Sequence, residues 1–251
     1  MARRNQHPSA GYKVCACGLT FELTGLRPHK PMTTTDLMGA SPVERMVSGP
    51  VPLRSVAVLF ARADSVYKKL PDVDVWDIER DARKWPGGSP VVAHPPCRAW
   101  GRLRTFANPR KGERLCATWA VRQVRQFGGV LEHPASSTLW PKAGLPAPGQ
   151  RDKYGGWTMG IHQHWWGHRA AKATLLYIVG CEPADIPDMP PLRLDEPTHV
   201  VQGNGGRPHI SKAEREHTPP ELARWLVDLA RRVRTPANSK LKGGPGNGAE
   251  A

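Results

Sequence analysis

The chain has 251 residues and a formal net charge of +14 at pH 7. No apolar run approaches the roughly 18 residues of a membrane-spanning helix, and no apolar stretch follows the charged N-terminus as it would in a secretory signal. We therefore expect a cytoplasmic protein with no membrane partner. The cysteine count of five is odd, which argues against a disulfide framework.

The two ends of the chain lack the periodic patterns of regular structure. We expect a poorly structured basic lead-in at 1–52, a folded domain at 53–233 and a disordered basic tail at 234–251. Within the lead-in, Cys15 and Cys17, with His29 further on, suggest a small metal knuckle. Zinc sites usually space paired cysteines more widely and use four ligands, so a turn with two free thiols is the alternative.

Between these ends, short apolar runs alternate with helical patterns. In chain order, the pattern predicts a strand at 56–60, a short helix at 63–70, and strands at 73–77 and 90–93. A helix at 113–127, a strand at 130–132 and a strand at 175–179 follow. Thr218 as N-cap, with prolines and Glu221 after it, marks the start of a last helix with one apolar stripe. This alternation indicates an α/β fold with a doubly wound, Rossmann-like sheet.

Polar side chains follow three of the predicted strands. Because ligands bind at the carboxyl ends of strands in such sheets, we expect Asp77, Cys97 and Glu132 to meet in one crevice. Two prolines before Cys97 fix its backbone, and a basic neighbour such as Arg98 would favour the thiolate. The alternative for Cys97 is a small buried apolar residue.

The carboxyl group of Glu132 follows an apolar strand and precedes His133. It is expected either to bind a ligand by a hydrogen bond or to form an ion pair. Partial desolvation would raise its pKa, so that it could hold or donate a proton near neutral pH.

Basic residues are concentrated in the segment after Cys97. Such a cluster favours a nucleic-acid partner, because each contact between a cation and a phosphate releases a counterion. A solvated surface in an arginine-rich chain is the alternative. We expect DNA contacts from Arg98, Arg102 and Arg104, and base stacking on Trp165 and Trp166 unless those two belong to the core. The oligomeric state is left open. The segment's basic residues are Arg98, Arg102, Arg104, Arg110, Lys111, Arg114, Arg122 and Arg125.

Several segments follow one another in an order typical of one enzyme family. Residues 93–100 (AHPPCRAW) are similar to a Pro-Cys nucleophile motif, and residues 130–134 (VLEHP) to a Glu-Asn-Val motif. Together they resemble the compact cytosine-C5 DNA methyltransferases of phages and bacteria. Residues 58–61 resemble the start of that family's S-adenosylmethionine motif, and 77–79 its ribose-binding acidic motif. Similar likenesses at 175–180, 210–214 and 218–223 extend the resemblance over about residues 56–232.

The resemblance implies a Rossmann-like sheet of the S-adenosylmethionine-dependent methyltransferase type and methyl transfer to C5 of cytosine. Cys97 would add to C6 of a flipped base while Glu132 contacts N3. Arg169 and Lys172 stand where the family has its basic motif and would be further catalytic residues. The residues implied to bind the cofactor are Leu59, Phe60, Asp77, Glu79, Pro95 and Pro220.

Four features depart from the family pattern, and the first is the basic motif, which is reduced to Lys172 with Arg169 nearby. Residues 62–65 (RADS) replace the glycine-rich cofactor loop, and His133 replaces the asparagine beside the glutamate. Only about 30 residues separate the strand at 175–179 from Ile210, too few for a target-recognition domain.

Two other functions are left open by the sequence. Metal-assisted base chemistry would use an open zinc site to activate water, held by residues from the set His94, His133, His162 and His164. Zinc is not the expected cofactor, however, because His162 and His164 fit equally well into a Trp/His-rich wall beside Trp165 and Trp166. A nucleic-acid-binding protein without enzymatic activity is the second alternative.

Overall fold

The computed structural model describes residues 12–14, 20–22, 54–102, 104–191, 195–201 and 206–234. They belong to two units, Met1–Val51 and Pro52–Ala251, which are treated separately. In the first unit, strand β1 (Tyr12–Val14) pairs antiparallel with β2 (Thr20–Glu22), a pairing that the sequence did not predict.

Two sequence predictions fall outside the described residues. They are the possible metal knuckle of Cys15, Cys17 and His29, and the basic tail beyond Arg234.

The second unit is a mixed α/β structure built on one six-stranded sheet. In chain order, the strands are β3 (Val56–Leu59), β4 (Val73–Trp76), β5 (Val91–Ala93), β6 (Gly129–Pro134), β7 (Trp157–His162) and β8 (Ala173–Val179). They lie side by side in the order β4-β3-β5-β6-β8-β7. The first four are mutually parallel, whereas β8 is antiparallel to β6 and to β7. We call the edge where the parallel strands end the carboxyl edge.

Helices cover both faces of this sheet, which is why β3 and β5 are apolar on both faces. Helix α1 (Glu113–Phe127) packs on the face that carries Leu59 and Leu131. Helix α4 (Pro220–Arg231) packs on the opposite face, against residues such as Val58 and Val130. Two short helices complete the unit, α2 (Leu139–Lys142) and α3 (Lys212–Glu216).

Most of the predicted elements are present, with three differences. The helix expected at 63–70 is a 3-10 turn, Val66–Lys69, capped by Ser65. The last helix has Pro219 rather than Thr218 as its N-cap. Strand β7 was not predicted, because Gly160 and the polar residues Thr158 and His162 interrupt its apolar pattern.

The residues that follow α4 pack against the edge of the sheet that lies opposite Cys97. The backbone N–H of Arg234 donates to the carbonyl of Gly180, at 2.7 Å. Both Gly128 and Gly180 have positive φ, and a Cβ at either position would come within 3 Å of the Val233 side chain. Glycine at these two positions therefore lets the end of α4 pack closely on the sheet.

Among the described residues, no helix combines the length and the apolar character that crossing a bilayer requires.

Truncating Leu226 tests the packing of α4. Leu226 is fully buried, so Leu226→Ala is expected to lower the free energy of unfolding by about 2–5 kcal/mol, measured by urea denaturation. The control is Arg224→Ala on the exposed side of the same helix, where the loss should stay within about 1 kcal/mol. Equal losses in the two variants would contradict this account of the core.

Candidate active site

Cys97 lies in a turn that follows β5 at the carboxyl edge. Its carbonyl accepts the backbone N–H groups of Trp100 and Gly101, at 2.9 and 2.8 Å. Pro95 is buried beside the sheet, whereas the thiol of Cys97 reaches the solvent. The alternative of a buried apolar cysteine is therefore wrong, and the thiol is held at the surface by a fixed backbone.

Glu132 lies in β6, the strand next to β5, and is held from two sides. His94 Nδ1 is 3.0 Å from its Oε2, and Gln163 Nε2 donates to its Oε1 at 3.1 Å. Gln163 also donates to Thr174 Oγ1, at 3.2 Å. Because both carboxylate oxygens have a donor, the orientation of Glu132 is fixed by residues from three other segments of the chain.

The carboxyl group of Glu132 is ionised, contrary to the expectation that desolvation would raise its pKa. Burial acts in that direction and is the largest single influence. The hydrogen bond and charge of His94, with the charge of Lys172, outweigh it and lower the pKa of Glu132 to about 2. The resting site therefore contains a buried carboxylate rather than a neutral acid.

Lys172 brings a positive charge to this part of the carboxyl edge. It precedes β8, and because that strand is reversed, its beginning lies where β6 ends. The ammonium group donates to the carbonyl of His217, at 3.0 Å. Burial lowers the pKa of Lys172, while the negative charges of Glu132, Cys97 and Glu216 oppose that change.

The environment of Cys97 raises its pKa, so the expectation that basic neighbours favour the thiolate is wrong in direction. Desolvation is the main cause, followed by the charge of Glu132, and Lys172 partly offsets both. Arg98 forms a double hydrogen bond with Glu113 instead of facing the thiol. Of the nearby cations, Lys172 has the largest effect on the pKa of Cys97, and this effect favours the thiolate.

Two other predicted site residues have different partners. Arg169 is exposed and pairs with Glu214. The buried carboxylate of Asp77 accepts from Lys68 Nζ at 2.7 Å and from the backbone N–H of Glu79. Asp77 is thus held at the end of β4, whereas Cys97, Glu132 and Lys172 interact with one another.

A cleft of about 370 Å³ lies next to Lys172, because His217, whose carbonyl accepts from Lys172, is part of its lining. Asp64, Val66, Arg169 and the segment from His217 to Pro220 also line it. Its size falls in the range of small-molecule sites, about 300–1,000 Å³. Pro220 is the residue shared by this lining and the cofactor-binding set inferred from the sequence.

The other residues of that set lie around β3, β4 and β5. Leu59 is in the core, and Glu79 is exposed. Phe60 follows β3 with φ of 62° and packs edge-on against Trp119, with ring centroids 5.8 Å apart. Because the backbone of Phe60 is left-handed, the chain turns sharply directly after β3, as it would at a glycine.

The histidines considered as zinc ligands have separate environments. The ring nitrogens of His164 lie 2.9 Å from the carbonyl of His168 and 3.0 Å from that of Asp195, and His162 is exposed beside Trp165. Within the described ranges, no group of three or more His, Cys, Asp or Glu side chains is arranged to hold a metal ion.

The loop after Cys97 presents cations and an aromatic ring to the solvent. Arg98, Arg102 and Arg104 are exposed, as expected for a nucleic-acid surface. Phe106, which the sequence analysis passed over, has 86% of its surface exposed, an unusual position for a phenylalanine. Its place between basic residues is the signal that could have identified it.

The tryptophans proposed for base stacking belong to the packing of α4. Trp166 is buried against Trp225, with ring centroids 5.5 Å apart, and Trp165 is half-buried beside it. Trp166 is therefore a core residue, whereas base stacking on the half-buried Trp165 stays a prediction.

Comparison of the chain with protein-family models, with curated proteins and with solved structures found no match. The functional interpretation therefore depends on the chemistry of the residues described above.

His133 differs from its neighbours because it is fully buried without hydrogen bonds. Neither ring nitrogen has a partner among the described residues, and the ring packs near Trp140. Burial lowers the pKa of His133 to about 4, against the opposing charge of Glu132. The native protein therefore keeps this imidazole neutral.

We expect His133 to make the protein less stable in mild acid. As pH falls from about 6.5 towards 4, the His133 imidazole becomes protonated in the unfolded chain but stays neutral in the folded protein. The free energy of unfolding should therefore fall, by up to about 3 kcal/mol from His133. His133→Leu should reduce this slope in denaturation curves at several pH values, and His162→Gln, at an exposed site, should not. An unchanged slope in His133→Leu would contradict the assignment.

Proposed function

We propose that the protein transfers a methyl group from S-adenosylmethionine to C5 of cytosine in DNA through a covalent adduct with Cys97. One observation carries the proposal: the accessible thiol of Cys97 and the carboxylate of Glu132, from adjacent strands, interact with each other and with Lys172. A nucleophile, a carboxyl group and a cation at one strand edge suit addition to a pyrimidine ring followed by charge neutralisation.

The position of the site supports the finer fold assignment, a Rossmann-like sheet of the methyltransferase type. The strand order reverses direction at β3, because β4 lies on one side of it and β5 on the other. Open α/β sheets bind ligands at such a reversal, outside the carboxyl ends of the strands. Cys97 follows β5, which is one of the two strands that flank this reversal.

In the proposed reaction, Cys97 adds to C6 of a base that has left the stack. Its raised pKa means that the thiol is mostly protonated at rest, and Lys172 is placed to stabilise the thiolate as it forms. Glu132 contacts N3 and neutralises the ring. Once C5 carries the new methyl group, loss of the C5 proton breaks the bond to Cys97 and releases the base.

The cleft lined by Asp64, Val66 and the segment from His217 to Pro220 is the proposed cofactor site. Its volume and its position next to the turn after β3 fit a small molecule of this class. Val66, Pro219 and Pro220 offer apolar contacts, and the Asp64 carboxylate, which already pairs with Arg62, offers a further acceptor for an amino group. When bound, S-adenosylmethionine supplies an electrophilic methyl group.

The exposed loop after Cys97 supports DNA as the substrate. Its arginines can contact phosphates, and the exposed ring of Phe106 offers a stacking surface for a base. The loop begins at the nucleophile itself, so DNA bound there lies close to the thiol.

Replacing the nucleophile provides the direct test. With DNA and methyl-labelled cofactor, wild-type protein should form 5-methylcytosine, detected by nucleoside mass analysis. Cys97→Ala should lower the rate by about 10³-fold or more, the scale of loss when an enzyme nucleophile is removed. Cys116→Ala, at a cysteine of α1, is the matched control. Full activity in Cys97→Ala, or no cofactor binding by calorimetry in the wild type, would contradict the proposal.

The basic loop is tested through the salt dependence of binding. Arg104→Ala should weaken binding of fluorescent DNA and reduce the slope of log affinity against log salt by about 1, as expected for one lost phosphate contact. Arg224→Ala removes the same charge from α4 and should leave the slope unchanged. Identical slopes in Arg104→Ala and wild type would mean that the loop does not contact phosphate.

A further inference from the structure

A chain of hydrogen bonds leads from the protein interior to Glu132. Tyr67 Oη lies 2.8 Å from His94 Nε2, and His94 Nδ1 lies 3.0 Å from Glu132 Oε2. Tyr67 is fully buried, and 12% of the His94 side chain is exposed. Each nitrogen of this imidazole therefore has one defined partner, and the far partner is a hydroxyl group rather than a charge.

The hydroxyl of Tyr67 allows His94 to change its protonation state without leaving a buried atom unpaired. A phenol can both donate and accept a hydrogen bond. When the imidazole carries a proton on Nδ1 alone, the Tyr67 O–H donates to Nε2. When both nitrogens are protonated, Nε2–H donates to Tyr67 Oη. In both states Nδ1–H donates to Glu132.

Among the titratable groups around Glu132, His94 is the one that we expect to exchange a proton with it. Burial, followed by the charge of Glu132, raises the pKa of Tyr67 well above its usual value, so the phenol keeps its proton. Lys172 acts on Glu132 and Cys97 from the start of β8, and the charge of Glu216 in α3 acts on Cys97 and Lys172. His133, next along β6, is neutral.

We propose that His94 is a positioning residue that stores a proton for Glu132, and that Tyr67 positions His94 for this task. The inference rests on the proposed methyl transfer, in which N3 of the base gains a proton as Cys97 adds to C6. The Nδ1–H bond of the imidazolium breaks and an O–H bond forms on Glu132. That O–H bond breaks in turn as N3–H forms. When elimination of the thiolate restores the aromatic ring, N3 returns this proton through Glu132 to His94 Nδ1, while the imidazole keeps its Nε2 proton throughout.

His94→Asn separates proton storage from simple orientation of the carboxylate. The asparagine amide can donate to Glu132 as Nδ1–H does, but it cannot act as an acid. In single-turnover methyl transfer, the wild-type rate should fall at alkaline pH as the imidazolium is lost. His94→Asn should be slower by about 10²-fold and lack that alkaline fall. His209→Gln, at an exposed histidine, is the control. A wild-type rate and pH profile in His94→Asn would overturn the proposal.

Tyr67→Phe tests the second half of the chain. It removes the acceptor for Nε2–H and thereby disfavours the imidazolium, so the alkaline fall should move to lower pH. Tyr154→Phe, at an exposed tyrosine, should leave the profile in place. An unmoved profile in Tyr67→Phe would show that Tyr67 does not position His94.

Nitrogen-15 NMR of the histidine rings separates failure of this inference from failure of the proposed function. In the free protein, with the His94 signals assigned by their loss in His94→Asn, Nδ1 should stay protonated while Nε2 titrates. A ring bare at Nδ1 would overturn the proton chain, whatever the reaction. The expected NMR result without methyl transfer by wild type would instead overturn the proposed function.

Discussion

The buried carboxylate of Glu132 is the feature on which the arrangement of the site depends. An ionised carboxyl group in the interior is costly unless charge and hydrogen bonds compensate for lost solvent. Here His94, Gln163 and Lys172 supply that compensation, and each comes from a different segment of the chain. Their positions in turn fix the end of β5, the turn after β7 and the start of β8.

This arrangement also explains why the thiol of Cys97 is less acidic than its surroundings in the sequence suggest. The sequence places many arginines near it, but proximity along the chain does not decide the local field. The nearest arginine, Arg98, already has Glu113 as its partner, and the charge of Glu132 raises the pKa of the thiol. In the free protein the thiol is therefore protonated while the carboxyl group of Glu132 is ionised.

Local patterns were enough to predict much of the fold. The apolar spacing at 113–127 predicted helix α1 with the bounds that the structure shows. Short apolar segments predicted β3, β4, β5 and β6 to within one or two residues at most ends. The meeting of Cys97 and Glu132 was also predictable, because it follows from two parallel strands ending at one edge.

What could not be predicted depends on contacts between distant segments. Strand β7 is stabilised by pairing with β8 rather than by its own apolar pattern. The protonation state of Glu132 depends on His94, 38 residues away in the chain. Phe106 stands out only when its exposure is known, and Trp166 is recognisable as core only from its contact with Trp225.

The closure of Val233 and Arg234 against Gly180 has a practical consequence for handling the protein. Because this contact lies at the opposite edge of the sheet from Cys97, the exposed side chain of Arg234 is held on the side away from the proposed chemistry. A fluorophore attached at position 234 is thus suited to following DNA association without obstructing the thiol. The sheet itself separates the labelled position from the proposed site.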